Sequence, residues 1–469
     1  MLKKKLIIVG IDGGSFSVIN PLFEKGLLSN LKKFKNSGIL NSTIPPGTAV
    51  SWASFSTGNS PGKTGIFDFT IVNDDSWKIN FVNRRKLKGK TLWEYLDEAG
   101  LKTCFMNIPL TYPPDKINGV MISGIDTPST LSEYVHPKEL KEELKKIDYE
   151  IEVSALKEKD EIVKQAMGVL EKRIIIARQL LKKDFDFFIV LFRESDVVQH
   201  YAWNRNEVEE IYKKIDEFLG EIIKYSENNN ADIIVMSDHG EQKVDKAFNV
   251  NVWLEENGYL KTNLKRKSLL SGLGINRERI FKILEKLKLN FLVHMVPRSF
   301  AKKIPTKEVD FEEAILTGVI DFNETRAIAK RAVKTAQIFL NNTKRKGIVK
   351  EDEEENIKQE IKKKLVNYFE KQNIKVEIST KQELYGKDSA SAPDISLYFA
   401  ENGYDVLTHF SSNKKLWDIP REQATHDKEG IIFSDLNLNL EHPRIIDLTP
   451  TILKYFNIKK TGFDGKSII

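Results

Sequence analysis

The chain has 469 residues, with 73 Lys and Arg against 67 Asp and Glu and a net charge of +6. That length buries a large core and favours two or three structural units, while so mild a basic excess suits a phosphate-bearing substrate and is too weak to argue for a nucleic-acid polymer or a membrane as partner. Cys104 is the single cysteine, which excludes an intrachain disulfide and a thiolate metal cluster, so any metal site must use His and Asp.

In chain order, MLKKKLIIVGID starts with lysines, but its apolar run is too short for a signal-peptide core. No apolar stretch approaches the roughly 20 residues that cross a bilayer, and the expectation is a soluble, cytoplasmic protein. Leu6 to Ile11 is an apolar, β-branched run that suits a buried central strand, ending in Asp12-Gly13-Gly14. Thr48 follows a Pro-Pro-Gly break and opens a small-residue stretch with helical character. A hydroxyl there faces unpaired backbone N–H groups and the positive end of the helix dipole, which attract phosphate. As a lone Thr it would be read as an N-cap; the downstream acidic residues and histidines make it a candidate nucleophile.

Helix and strand patterns then alternate. A helix is expected over Thr91 to Ala99, strands over Lys102 to Asn107 and Gly119 to Ser123, and helices over Pro137 to Lys146 and Glu161 to Lys183. Phe185 to Phe192 reads as a second buried strand, Val208 to Tyr225 as a helix, and Ala231 to Met236 as a third buried strand. This alternation predicts an α/β fold, a mostly parallel sheet with helices on both faces. Residues 258 to 350 are rich in Lys and Arg and include the amphipathic stretch NRERIFKILEKLKLNFLVHMVPRSF, expected to be an inserted helical or mixed cap. The expected organisation is therefore a catalytic core in two parts, 1 to 257 and 351 to 469, around that insert. A charged helix over Glu351 to Gln372 and strands over Lys375 to Ser379 and Asp394 to Phe399 are expected to return the chain to the main sheet; RIIDLTPTILKY enters a closing helix with Pro450 near its first turn.

Metal-type donors follow three of these strands: Asp12 after the first, Asp196 after the second, and Asp238-His239 after the third. His200 lies one helical turn beyond Asp196, so both can share a face and an ion. His426 stands in a loop-like THDKEG before the apolar run Ile431 to Phe433, whereas His136, His294, His409 and His442 lack acidic company and read as ordinary surface or core residues. Oxygen and imidazole donors without thiolate suit zinc, with manganese as the next choice.

The ordered set GIDGGSF, STIPPGTAVSWASFSTGNSPGKTGIFDF, DVVQH, SDHG, APD, THDKEGI and DLTPTILKYF resembles the alkaline phosphatase superfamily, and within it the type I phosphodiesterase and nucleotide pyrophosphatase family. The resemblance spans nearly the whole chain. It implies that Asp12, Thr48, Asp238 and His239 surround one divalent ion, and that Asp196, His200 and His426 hold a second. It further implies hydrolysis of a small phosphodiester or nucleotide-type substrate through a phosphothreonine at Thr48. The chain departs from the family at Ser51, where the family has an Asn that donates to the phosphate; the Ser51 hydroxyl replaces that amide, and the expected substrate contacts are Ser51, the Ala49 N–H and Trp52, the last read as core slightly ahead of a stacking surface. Two alternatives stay open: phosphoryl transfer or monoester chemistry on the same scaffold, and a metal-stabilised binding protein without catalysis.

Overall fold

The buried apolar runs become the middle of one sheet. In the computed structural model, β1 (Lys5–Ile11), β2 (Asn36–Asn41), β3 (Thr103–Ile108), β4 (Gly119–Ser123), β5 (Val135–His136), β6 (Phe187–Phe192), β7 (Ala231–Met236) and β8 (Glu429–Ser434) form eight strands in the order β2-β8-β7-β1-β6-β3-β4-β5. The central five, β7 to β4, run parallel. β8 is antiparallel to β7 and β2, and β5 is antiparallel to β4. The structure describes residues 4–73, 75–154, 158–263, 309–388, 390–400, 403–410, 414–419 and 423–469.

Period-two alternation along β1 explains the two faces. Ile7, Val9 and Ile11 enter one core with residues of the helices Lys159–Leu181 and Asn206–Asn229. Leu6 and Ile8 enter the other, with Trp52, Leu92, Leu448 and Ile452 from the helices Thr48–Thr57, Leu92–Glu98 and Leu448–Tyr455. Strands covered on both sides must be apolar on both sides, which is why β1 and β6 carry almost uninterrupted Ile, Leu, Val and Phe. The mostly parallel α/β sheet with helices on both faces is therefore the fold the alternation predicts.

The chain packs as two units, one of Met1–Ile71, Phe81–Val244 and Pro420–Ile469, the other of Val72–Asn80 and Asp245–Ile419. The second unit holds a four-stranded antiparallel sheet in the order Ala327–Ala332, Thr335–Leu340, Ile395–Phe399, Val376–Thr380. Its core includes Trp253, Phe339, Ile361, Leu365, Phe369 and Leu397. The strands expected over Lys375 to Ser379 and Asp394 to Phe399 exist, but they pair in this second sheet instead of returning to the main one. A fully buried apolar strand such as Ile395–Phe399 carries no mark of which sheet it joins. The amphipathic stretch 276–300 of the expected cap lies outside the described residues, and the helix expected over Glu351 to Gln372 is Glu354–Lys371.

Candidate active site

Three strand ends and a helix start meet in the first unit. Asp12 follows β1, and its backbone N–H donates to the Phe192 carbonyl at the end of neighbouring β6. Asp238 and His239 follow β7 after the single residue Ser237. Asp196 and His200 lie on the helix Glu194–Ala202 after β6, one turn apart as their spacing predicts, with His200 Nε2 at 3.1 Å from Asp196 Oδ1. His426 arrives from the far end of the chain, and it sits in a strand, not in the expected loop. Ala424–Asp427 pairs antiparallel with the start of Gly240–Asn249. The four residues Ala-Thr-His-Asp are too few to show an alternation, so only the hydrogen bonds of the strand it pairs with define it.

Thr48 is the first residue of the helix Thr48–Thr57; Gly47 is the N-cap, so Thr48 is freed from the capping role that its sequence position suggested. Its Oγ1 lies 3.2 Å from His239 Nε2. The same Nε2 is 3.2 Å from Asp12 Oδ1 and 3.4 Å from Asp238 Oδ2. One imidazole nitrogen thus faces two carboxylates and a hydroxyl. His239 Nδ1 is 3.0 Å from the Gly240 carbonyl, which fixes Nδ1 as donor and aims Nε2 at the acids.

A second group adjoins the first. His426 Nε2 is 3.2 Å from Asp196 Oδ1 and 3.0 Å from His200 Nε2. Their Nδ1 atoms meet backbone carbonyls, His200 at Ala424 (3.1 Å) and His426 at Pro46 (2.8 Å). The His239 and His426 rings stack with centroids 3.6 Å apart.

These charges are crowded and dry. Asp12, Asp238, His239 and Glu241 are at most 1 % exposed. Burial and the neighbouring Asp238 and Asp196 push the Asp12 carboxyl up to about 8, and burial raises Asp238 as well. For His239 burial acts downward, but Asp238 and Asp12 outweigh it and raise the imidazole to about 10. Burial and the adjacent His239 depress His426 to about 3. Asp12 and Asp238 share the single nearby Nε2 of His239, and Arg193 reaches Asp12 only at 3.9 Å. Buried carboxylates crowded in this way cost several kcal/mol unless a cation compensates them, and the donors of Asp196, His200, Glu241 and His426, like those of Asp12, Asp196 and His239, lie within 4.8 Å of one another. The residues therefore fit a divalent metal ion: this Asp/His/Glu cluster is able to bind one.

The expected substrate contacts fare differently. Ala49 lies in the first helical turn, where its N–H has no carbonyl four residues back within the helix. The Ser51 hydroxyl is engaged internally, 2.8 Å from Ser42 Oγ and 3.2 Å from Thr43 Oγ1. Trp52 is fully buried, edge-on to Phe55 at 5.0 Å between centroids, and belongs to the core beneath the helix. Its placement on a helix face that packs against β1 leaves it no surface for a ligand.

Two residues at the site escaped sequence reasoning. Glu241 faces both His200 and His426 from the strand beside His426. Arg193 holds Glu152 through Nε at 2.7 Å and reaches Asp196 Oδ2 at 3.3 Å and Asp12 Oδ2 at 3.9 Å through Nη1. Arg193 directly follows the buried β6, a position that could have drawn notice; Glu241, in a polar run, offered no signal.

A parallel sheet bearing such a cluster at the carboxyl ends of its strands, beside a hydroxyl at a helix start, defines a protein of the alkaline phosphatase superfamily. Within it, the chain belongs to the type I phosphodiesterase / nucleotide pyrophosphatase family, whose sequence profile matches residues 6–431. It is accordingly a hydrolase of phosphoester or pyrophosphate bonds. No curated protein matches the chain by sequence.

Solved structures share the fold at low identity. Phosphonoacetate hydrolase from Sinorhizobium meliloti 1021, in complex with phosphonoformate, is 16% identical with a TM-score of 0.63, covering 97% of this chain and 96% of its own. Human ectonucleotide pyrophosphatase / phosphodiesterase 5 is 12% identical with a TM-score of 0.54, covering 99% and 97%. An inactive form of the murine counterpart, in complex with AMP, has 12% identity and a TM-score of 0.52, covering 99% and 97%. Among the described residues, no helix is long and apolar enough to cross a membrane.

Proposed function

We propose that the chain hydrolyses a small phosphodiester or nucleotide-type substrate, with Thr48 as nucleophile beside two divalent ions. The observation that carries this reading is the placement of Thr48 Oγ1 at 3.2 Å from His239 Nε2, itself against Asp12 and Asp238. Asp12, Asp238 and His239 with Thr48 would hold one ion, and Asp196, His200 and His426 the other. Zinc is the first choice for such oxygen and imidazole donors and manganese the second. Ions bound there would supply Lewis-acid charge that lowers the pKa of the Thr48 hydroxyl and steadies the attacking and leaving oxygens.

The chain's own residues do the rest. Thr48 Oγ1 forms a bond to phosphorus as the bond to the leaving oxygen breaks in line, giving a phosphothreonine. Water then cleaves that ester and returns the hydroxyl. The first-turn amide of Ala49 points along the helix axis toward the incoming phosphoryl oxygens, and the helix dipole adds positive potential where negative charge develops. Arg193 ties Asp12 and Asp196 together from behind, so the two carboxylates are held in fixed orientation before substrate arrives. A core interrupted by one insert is part of this proposal, wider than the expected 258–350 because residues 351–419 pack with it in the second unit, as is a cytoplasmic setting.

The test compares release of p-nitrophenol from bis-p-nitrophenyl phosphate with release from the monoester, with zinc or manganese added, alongside AMP-containing dinucleotides and phosphonoacetate. Faster diester turnover that disappears in Thr48→Ala supports the reading. A monoester rate far above the diester rate favours the phosphatase or mutase branch. Wild type and Thr48→Ala equally inert with every metal favours a binding protein.

A further inference from the structure

Glu241 is a fully buried carboxylate in the Asp/His/Glu cluster that the two-ion proposal leaves without a role. Its strand, Gly240–Asn249, sets it directly opposite His426 in the antiparallel register. Its backbone carbonyl accepts hydrogen bonds from the hydroxyls of Ser15 at 3.1 Å and Ser17 at 3.0 Å, which hold the strand start in place. Its side chain crosses Gly13, where φ is +67° and an added Cβ would stand 2.9 Å from Glu241 Cγ. A side chain at position 13 would close this lane, and the left-handed backbone disfavours one there as well.

The lane ends at the two histidines. Glu241 Oε1 is 3.5 Å from His200 Nε2 and 3.6 Å from His426 Nε2. Taken with the 3.0 Å between the two Nε2 atoms and their 3.1 and 3.2 Å to Asp196 Oδ1, five separations among four donors run from 3.0 to 3.6 Å. A tetrahedron with bonds of about 2.05 Å to its centre has edges of about 3.3 Å. The donors thus outline a four-ligand shell, and their charges, two carboxylates and two neutral imidazoles, balance a dication.

We propose that Glu241 is a fourth protein ligand, beside Asp196, His200 and His426, of the second ion. This rests on the two-ion reading above and adds a ligand to it. Four side chains hold the ion more tightly than three could, and zinc expands from four- to five-coordination when a substrate oxygen enters, so the added ligand leaves the proposed chemistry open.

The test is made on full-length protein stripped with chelator and titrated with zinc against a competing metal indicator. Wild type is expected to bind two ions, and Glu241→Gln to bind one of them at least tenfold more weakly, with Glu241→Asp between the two. Thermal melts of the metal-free forms establish that each variant folds. A folded Glu241→Gln that binds both ions as wild type does overturns the assignment and leaves Glu241 a purely structural partner of the histidines. His200→Ala separates the two levels. If wild type itself binds fewer than two ions, the two-ion reading fails; if wild type binds two and His200→Ala loses one while Glu241→Gln loses none, only the role of Glu241 falls.

Discussion

His200 and His426 point their Nε2 atoms at each other across 3.0 Å, while each Nδ1 rests against a backbone carbonyl. With both Nδ1 atoms donating, two lone pairs would face one another, so something positive has to sit between the rings. Without a metal a proton does so: burial works against it, but Asp196 raises His200, whereas His426 is held down to about 3. A metal ion takes over that place and displaces the proton.

Metal binding should therefore release protons, and affinity should rise with pH. The sign follows from His239, raised to about 10 and therefore protonated at neutral pH, so an incoming ion must expel its proton; Asp196 shifts His200 in the same direction. Each proton displaced contributes up to about a tenfold gain in affinity per pH unit below that group's pKa. Zinc titration calorimetry in two buffers of different ionisation enthalpy, at pH 6.5 and 8, measures both effects. Affinity that is flat over this interval, with no buffer-dependent heat, contradicts the expectation.

Thr48→Ala should lower diester turnover by about a thousandfold or more, since removal of a nucleophile leaves only binding and charge stabilisation. Thr48→Ser, which restores the hydroxyl, should recover a substantial part. Steady-state rates, with metal content measured on the same samples, distinguish loss of chemistry from loss of an ion. Equal rates for Thr48→Ala and wild type would remove Thr48 from the mechanism.

Exhaustive chelation should abolish turnover, and zinc or manganese should restore it in wild type. His426→Ala is expected to bind one ion fewer and to recover only poorly on metal addition, because its imidazole meets Asp196 and His200 at 3.2 and 3.0 Å. Elemental analysis after gel filtration gives the count. A variant that retains both ions would place His426 outside the metal shell.

Arg173 and Glu194 form an ion pair buried to 0 and 1 % exposure, with an Arg173 Nη2 to Glu194 Oε1 separation of 2.6 Å. Tyr149 and the Ile151 carbonyl accept the other guanidinium protons. Glu194→Gln strands the guanidinium in the core and should lower stability by about 3–5 kcal/mol. The double change Arg173→Met with Glu194→Gln should recover part of that loss, because the buried charge is gone. Urea midpoints for Glu194→Gln, Arg173→Met and the double variant check it; a double variant as unstable as the sum of the two singles would show that no coupling exists.

Much of this protein could be read along the chain. β1, β6 and β7 announce themselves as buried runs, and the polar residues that end them, Asp12 and Asp238-His239, stand at the carboxyl edge of the sheet. Asp196 and His200 meet because a helix brings residues four apart to one face, a local relation that spacing alone expresses. His426 was legible only as a histidine in acidic company; its strand was not, since Ala424–Asp427 owes its form to the segment it pairs with.

Other features depended on contacts made across the chain. The strands Val376–Thr380 and Ile395–Phe399 were visible as strands, but their membership in a second sheet was not, because burial demands apolar residues in either sheet. Trp52 reads equally as a stacking platform or as core until the packing of its helix on β1 is known.

By itself the sequence determined the buried strands β1, β6 and β7 and the helices between them, the donors that follow those strands, and the hydroxyl at a helix start, because periodicity, capping and turn chemistry act between near neighbours. Only the tertiary structure decided that Glu241 stands opposite His426 and that Arg193 braces Asp12 and Asp196. Strand register and the meeting of distant side chains are set by the hydrogen bonds and packing of segments far apart in sequence, and no local pattern encodes them.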